Sequence, residues 1–419
     1  MSALSRFLPS SGLARQLAVL SVLEAVGTGT FLTGSAFYFT HVVGLSAAQV
    51  GAGLTIAGVA AFVTGFPLGR LGDRWGRQRV WFVGALLFAL LYLAWPLVHG
   101  FAGFVAIVVM AEVIDSAVSS ARGAYTLDAF SPEERVRSMA FMKAALNIGF
   151  TLGASLGGVA LALPTDTGIR VLPYATAAVL MGAALLIPRL PTADQQVAPA
   201  HSPRTTGTAL RNRGYLATSV MSGVLATNQV LLSVVIPLWI VEQTDAPRVL
   251  LAWLFGTNTV LAILFQVSAS RGADTLRGAL RASRRSTAFL VLSCVVILVT
   301  HDTIGWVTIA LVWLAYITVT GAELFAAAGQ WGFQSELSDV HRRGEYQGVA
   351  RVGIAFGSLW APALYTWLTT TLHAVGWLVI AAIVIAATTC LGPSVRSADA
   401  FLRRTASPAQ AESLPITPS

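Results

Sequence analysis

The chain has 419 residues, of which 55% are hydrophobic and 11% charged. A soluble domain carries about 25% charged residues, so this composition excludes a water-soluble globule and puts most of the surface against lipid. The formal net charge is +8. Lys143 is the only lysine, so 26 of the 27 basic residues are arginine, and nearly all fall in alternate loops between apolar runs. That distribution orients a membrane protein rather than reading nucleic acid.

The apolar runs are continuous rather than alternating, which points to spanning helices and not to a β-barrel. At about 20 residues per span, the length accommodates roughly twelve. The runs predict helices over 14–40, 46–69, 79–98, 101–128, 139–163, 170–188, 214–241, 248–268, 286–301, 304–334, 347–370 and 374–391. The first is too long for a signal-peptide core and lacks a small-residue cleavage site, so it reads as a spanning helix. An even number places both chain ends on one side.

Loop charges choose that side. One set holds Arg6 and Arg15, Arg70 to Arg79, Arg135 and Arg137, Arg189 to Arg213, Arg271 to Arg285, Arg342 and Arg343, and Arg396 to Arg404. The opposite set holds only Arg170 and Arg248, beside Asp166, Glu242, Asp245 and Asp302. The first side, with both termini, is expected to be cytoplasmic in a multi-pass protein of the cell membrane.

The expected fold is therefore all-α and integral to the membrane, with twelve helices in two six-helix bundles over 1–188 and 214–392. Residues 189–213, rich in Pro, Thr, Ala and Arg, read as a linker, and 393–419 as a polar disordered tail. A shift of 208 residues places Gly149 on Gly357, Gly153 on Ala361, Asp115 on Glu323 and Arg122 on Gln330, a weak internal repeat. Cys294 and Cys390 lie in apolar runs and read as small core residues.

Between the second and third helices runs Gly69-Arg70-Leu71-Gly72-Asp73-Arg74-Trp75-Gly76-Arg77-Gln78-Arg79. Gly69 and Gly76 allow close backbone approach and a tight turn. Asp73 can cap the positive end of a neighbouring helix, and the arginines can grip an acidic helix end, with Asp128 the evident candidate. The segment resembles the G-x-x-x-D-R-x-G-R-[KR]-[KR] signature of the major facilitator superfamily of secondary transporters. The match is met at Gly69, Asp73, Arg74, Gly76, Arg77 and Arg79, with Gln78 departing. What the resemblance implies is a cytoplasmic latch that stabilises the outward-facing state.

The predicted fifth helix carries Gly149, Gly153, Gly157 and Gly158. Small residues four apart let two membrane helices touch backbone to backbone. The run is similar to the G-x-x-x-G-P-x-x-G-G signature of the drug:proton antiporters, with Ala154 where those families have proline. Those antiporters also carry an arginine in the middle of helix four. Here Ala111-Glu112-Val113-Ile114-Asp115 is acidic, and Arg122 lies nearer the cytoplasm.

Five ionisable residues are read within the membrane: Glu24, Glu112, Asp115, Arg122 and Glu323. Each costs about 2.5–3.5 kcal/mol at a helix centre, and such residues usually serve a pathway. At about 100° per residue, Glu112, Asp115, Ser119 and Arg122 form one polar stripe. Glu24, Thr28, Phe31, Ser35 and Tyr38 form another on the first helix. Glu24 and Arg122 lie at similar depth and are expected to pair. Glu112 and Asp115 are then expected to be free to carry protons, with Glu323 a further candidate, since paired carboxylates in low dielectric hold a proton more readily.

A substrate wall is expected from Trp313, Tyr316, Thr320 and Glu323 on helix ten, with Asn228 and Gln229 on helix seven. Aromatics with few polar groups suit an amphipathic organic molecule. The chain has no phosphate-binding loop with Lys-Ser/Thr, and its six histidines have neither metal nor triad spacing. The reading is a monomeric, alternating-access transporter, not an enzyme, without cofactor or metal, driven by the proton gradient. It exports a drug-like or secondary-metabolite-like compound. Proton-coupled uptake of a metabolite is the alternative, and a non-transporting membrane sensor a lesser one.

Overall fold

The computed structural model describes residues 11–162, 167–192 and 209–405. Twelve long helices follow in order: α1 Gly12–Val42, α2 Ala47–Trp75, α3 Arg77–Leu97, α4 Gly100–Ala129, α5 Pro132–Ala162, α6 Gly168–Arg189, α7 Arg213–Gln243, α8 Leu250–Ala269, α9 Leu276–Asp302, α10 Trp306–Glu336, α11 Arg343–Leu372 and α12 Ala374–Thr405. All but α11 contain a stretch long and apolar enough to cross a bilayer. α11 has 30 residues, and its first third carries Arg343, Glu345 and Arg351. The protein is a multi-pass membrane protein, and large side chains such as Leu87, Val63 and Phe255 stand exposed on the outer faces of its helices.

The helices start and stop on local chemistry. Ser46 caps α2 through a reciprocal bond with Gln49. Gly76, at φ +94°, supplies the one-residue corner between α2 and α3, a conformation L side chains rarely adopt. α7 is broken after Leu225 and carries a π-turn over Leu231–Val235.

Several helices exceed their expected lengths, α2 by running on to Trp75 and three others more markedly. α5 begins at Pro132 rather than 139, with proline in its first turn followed by Glu133 and Glu134, a favourable start against the helix dipole. α9 begins at Leu276 rather than 286, capped by Thr275. Its arginine run hides a helical period, since Ala279, Ala282, Ser283 and Ser286 are buried while Arg277, Arg281, Arg284 and Arg285 are exposed. α12 continues to Thr405, correcting the disordered tail from 393. Leu391, Val395 and Ala398 are buried, and Asn212 Nδ2 donates to the Ala398 carbonyl at the start of α7 at 3.4 Å. The remainder of that tail, 406–419, and linker residues 193–208 lie outside the described residues.

Buried apolar side chains largely segregate by half, although Val136 clusters with Ala273, Ala282 and Ala328 across them. One core cluster is drawn from residues 209–398, including Trp239, Tyr365 and Trp377. Two others come from residues 14–190, one around Trp81 and Leu127 and one around Phe31 and Trp95. Cys294 is fully buried in the first of these, whereas Cys390 is exposed, contrary to the expectation of a core residue. Gly149, Gly153 and Gly157 lie against the α1 backbone at Val22, Val26 and Thr30. Gly158 has open space around it and takes no part in that seam.

Candidate functional site: an inter-bundle latch and the cavity beyond it

The chain's arginine-rich corners, including the start of α1 and the end of α12, define what we term the basic face. At that face α11 is held by the first half. Asp73, at the end of α2, accepts from the backbone N–H groups of Gly344 and Glu345, both at 3.0 Å. These are the free donors of the α11 N-terminus, and a carboxylate there also meets the positive end of the helix dipole.

Asp128, at the end of α4 and 4% exposed, accepts from both Arg77 and Arg343. Arg77 also bonds Asp73 at 3.1 Å and the Val340 carbonyl at 3.0 Å. Between these contacts the α2 and α11 backbones touch: a Cβ on Gly69 would come within 2.5 Å of the Gly344 carbonyl oxygen, and Gly65 faces Gly348. Arg74 and Arg79, expected to share this work, are exposed and form no ion pair with the described residues. They lie on the outer side of the corner that Gly76 creates. Gln78, the departure from the signature, donates to the Ile187 and Leu190 carbonyls at 2.9 and 3.1 Å and so ties α3 to the end of α6.

Above this closed face lies a cavity of about 980 Å3. Its walls come from the second half of α1 (Thr28, Phe31, Ser35), the first halves of α2 and α4, α3 from Phe88 to Trp95, Phe150 of α5, and α11 from Arg351 to Ala363. α1 and α11 run away from the basic face and α2 and α4 run toward it, so the cavity occupies the far half of the membrane. Phe31 packs between Tyr92 and Trp95, at ring separations of 5.2 and 5.5 Å. Tyr38 packs on Phe31 but is itself buried in the core, so the expected α1 stripe reaches the cavity only through Thr28, Phe31 and Ser35.

The cavity's charged residues are Glu112, Asp115 and Arg351. Arg351 Nη2 bonds Asp115 and approaches Glu112 at 3.8 Å, while Nη1 bonds Ser119. Asp115 and Glu112 therefore face a counter-charge, against the expectation from the sequence that they would be free. Arg351 lies only eight residues into α11, where arginine reads as a topology anchor, and its partners are on another half of the chain. Being near the cavity floor was the missing information.

Glu24 and Arg122 do meet. Arg122 donates to Glu24, and to the Ser21 hydroxyl at 2.6 Å, with its guanidinium 5.7 Å from the Trp81 ring centroid. In the second half, Asn258 on α8 donates to Glu323 at 3.0 Å and to Thr320 at 3.1 Å. Sequence reading passed over Asn258 because a lone amide in an apolar run has no pattern. The expected second-half wall is absent from this cavity. Tyr316 is buried and donates to the Leu232 carbonyl, Trp313 donates to Thr257, Asn228 is buried, and Gln229 is exposed elsewhere. α7 and α10 lodge Asn228, Tyr316 and Thr320 in the second-half interior, away from this cavity.

Two groups of helices, latched at one face and lined by charge beneath a cavity at the other, define a secondary transporter. The family model described as Major Facilitator Superfamily matches residues 17–362, and the chain belongs to that family. Among solved structures it is similar to the human organic anion transporter MFSD10 (TETRAN), at 16% identity and TM-score 0.65 over 93% of this chain and 100% of that one. It is also similar to a bacterial homologue of the iron transporter ferroportin in an outward-facing state, at 14% identity and TM-score 0.74 over 92% and 99%. A third is the proton:xylose symporter XylE bound to 6-bromo-6-deoxy-D-glucose, at 13% identity and TM-score 0.67 over 90% and 94%. No curated protein sequence matches the chain.

Proposed function

We propose that the protein is a proton-coupled antiporter of the cell membrane that exports a small, amphipathic organic compound by alternating access, with both termini cytoplasmic. The structural neighbours carry a sugar, a metal or organic anions by their names, so cargo is argued from the lining instead. The observation that carries the reading is the placing of two carboxylates and one guanidinium beneath a largely apolar, aromatic cavity. Glu112 and Asp115 share Arg351, so the trio bears one uncompensated negative charge when both are ionised. A proton arriving from the cavity side neutralises that charge and loosens the hold on Arg351. A bound amphipathic molecule and a proton would then compete for the same carboxylates, which is the requirement for exchange.

With the basic face cytoplasmic, the latch described above closes the inner side and the cavity opens outward, the state in which exported cargo leaves and protons enter. Glu24–Arg122 supports the polar path on the inner side, and Glu323 with Asn258 offers a second protonatable group. A drug-like cargo, and hence a contribution to multidrug resistance, suits walls of Phe31, Tyr92 and Trp95. Uptake of a metabolite with protons is the alternative reading, favoured by the lack of an arginine in the middle of α4.

The test is flux in proteoliposomes with imposed proton gradients of either sign. Accumulation of an amphipathic probe against its gradient should require an opposing proton gradient and be lost in Glu112→Gln/Asp115→Asn. Undiminished proton-driven accumulation in the double variant eliminates these carboxylates as carriers, and accumulation only with a parallel gradient establishes uptake.

A further inference from the structure

A second concave feature lies on the outer surface of the second half, between α9 and α12 near the basic face. Its deeper part is a cavity of about 480 Å3 whose lining includes Ser283, Arg284, Thr388, Thr389, Pro393 and Arg396. From it a groove of about 550 Å3 runs toward the membrane interior past Ala288, Leu292, Val295 and Ile385. Arg284, Thr388 and Thr389 line both, so the two are continuous.

Arg284 is eight residues from the start of α9 and Arg396 nine from the end of α12. At about 1.5 Å per residue both lie about 12–14 Å along their helices from the basic face, level with each other. Both are exposed, and neither forms an ion pair with the described residues. Among the described residues no carboxylate lines either part; the nearest acid along α12, Asp399, is paired with Arg403 at 3.0 Å. Thr287 and Thr388 bond each other and close the inner wall.

We propose that this groove binds an anionic phospholipid from the leaflet at the basic face. Its phosphate lies between Arg284 and Arg396, and one acyl chain lies along Ala288, Leu292, Val295 and Ile385. Guanidinium groups take phosphate oxygens in a bidentate fork, and basic pockets between membrane helices suit anionic headgroups. A free phosphate would satisfy the arginines but leave the adjoining apolar groove unfilled. The lipid satisfies both.

The experiment uses the full chain, delipidated in detergent. Phosphatidylglycerol, phosphatidylcholine and inorganic phosphate are titrated, and bound lipid is counted by native mass spectrometry alongside thermal unfolding. Phosphatidylglycerol is expected to bind with a stoichiometry including one tight site and to raise Tm. Arg284→Gln/Arg396→Gln should weaken that site about thirtyfold, from the loss of two headgroup contacts. Arg271→Gln, an exposed arginine on the same face outside the groove, should leave it unchanged. Equal binding of phosphatidylcholine, an equal effect of inorganic phosphate, or full retention in the double arginine variant would each overturn the assignment. If the double variant does not fold, the single variants carry the test, each expected to weaken the site about fivefold; unaltered binding in both overturns it.

Discussion

Arg351 on α11 is ion-paired with Asp115 on α4, joining the two halves of the protein at the floor of the cavity. The pair is part-exposed, with side-chain exposures of 27% and 42%, so its worth is closer to that of a surface pair than of a buried one. Removing it with Arg351→Gln should shift the balance between conformers by about 1 kcal/mol, roughly fivefold, toward opening at the basic face. Spin-label distances between α2 and α11 at that face check this. Unchanged distance distributions would sink it.

Asp128 is the opposite case. It is buried and serves two arginines at once. Asp128→Ala removes the carboxylate from between two buried arginines, leaving Arg77 with Asp73 alone, and should destabilise the protein by about 3–5 kcal/mol. Thermal unfolding in detergent reads this directly, and a variant as stable as the parent would contradict the latch geometry.

The Gly69–Gly344 contact leaves no volume for a side chain. Gly69→Leu should hold α2 and α11 apart and keep the basic face open. With Cys294 and Cys390 replaced by Ser, a cysteine at buried position Ser120 should then react with a polar maleimide, and remain protected in the Gly69 parent. Protection in both would argue against the seam as the closing surface.

Glu24 and Arg122 lie on different helices of the same half. Either single neutralisation should reduce flux, and Glu24→Arg/Arg122→Glu should restore part of it if attraction is what matters. A swap as inactive as the single variants points to a role for one group alone.

Glu323 accepts from Asn258 and forms no ion pair with the described residues. Glu323→Gln preserves an acceptor and should leave Tm nearly unchanged. Glu323→Ala removes one of the two acceptors of the part-buried Asn258 amide and should cost about 1 kcal/mol. Equal stability of the two variants would refute the hydrogen bond as a structural element.

Contacts within one half were partly legible in the sequence. Glu24 and Arg122 could be matched because two neighbouring antiparallel helices with polar stripes fix depth by counting residues. Asp128 could be paired with an arginine of the corner because both are near in chain and share a face. Contacts between halves were not legible. Asp73 finds its donors 271 residues away, and no periodicity encodes that distance. The arginines of α9 were read as topology markers, because positive charge near a helix end has that role by default, and Arg351 was passed over. The starts of α5 and α9 were placed too late for a related reason: charge on the outer side of an amphipathic turn lowers average hydropathy even where the inner side is buried.

Three aspartates of the first half, Asp73, Asp115 and Asp128, all engage one element of the second. Arg343 and Arg351 are eight residues apart on unbroken helix, about 12 Å along a stiff rod. Whatever tugs at the upper guanidinium is felt by the lower one with no relay of side chains between them. α11 thus behaves as a lever arm, and the chemistry at one end of the protein and the bolt at the other are moved by the same piece.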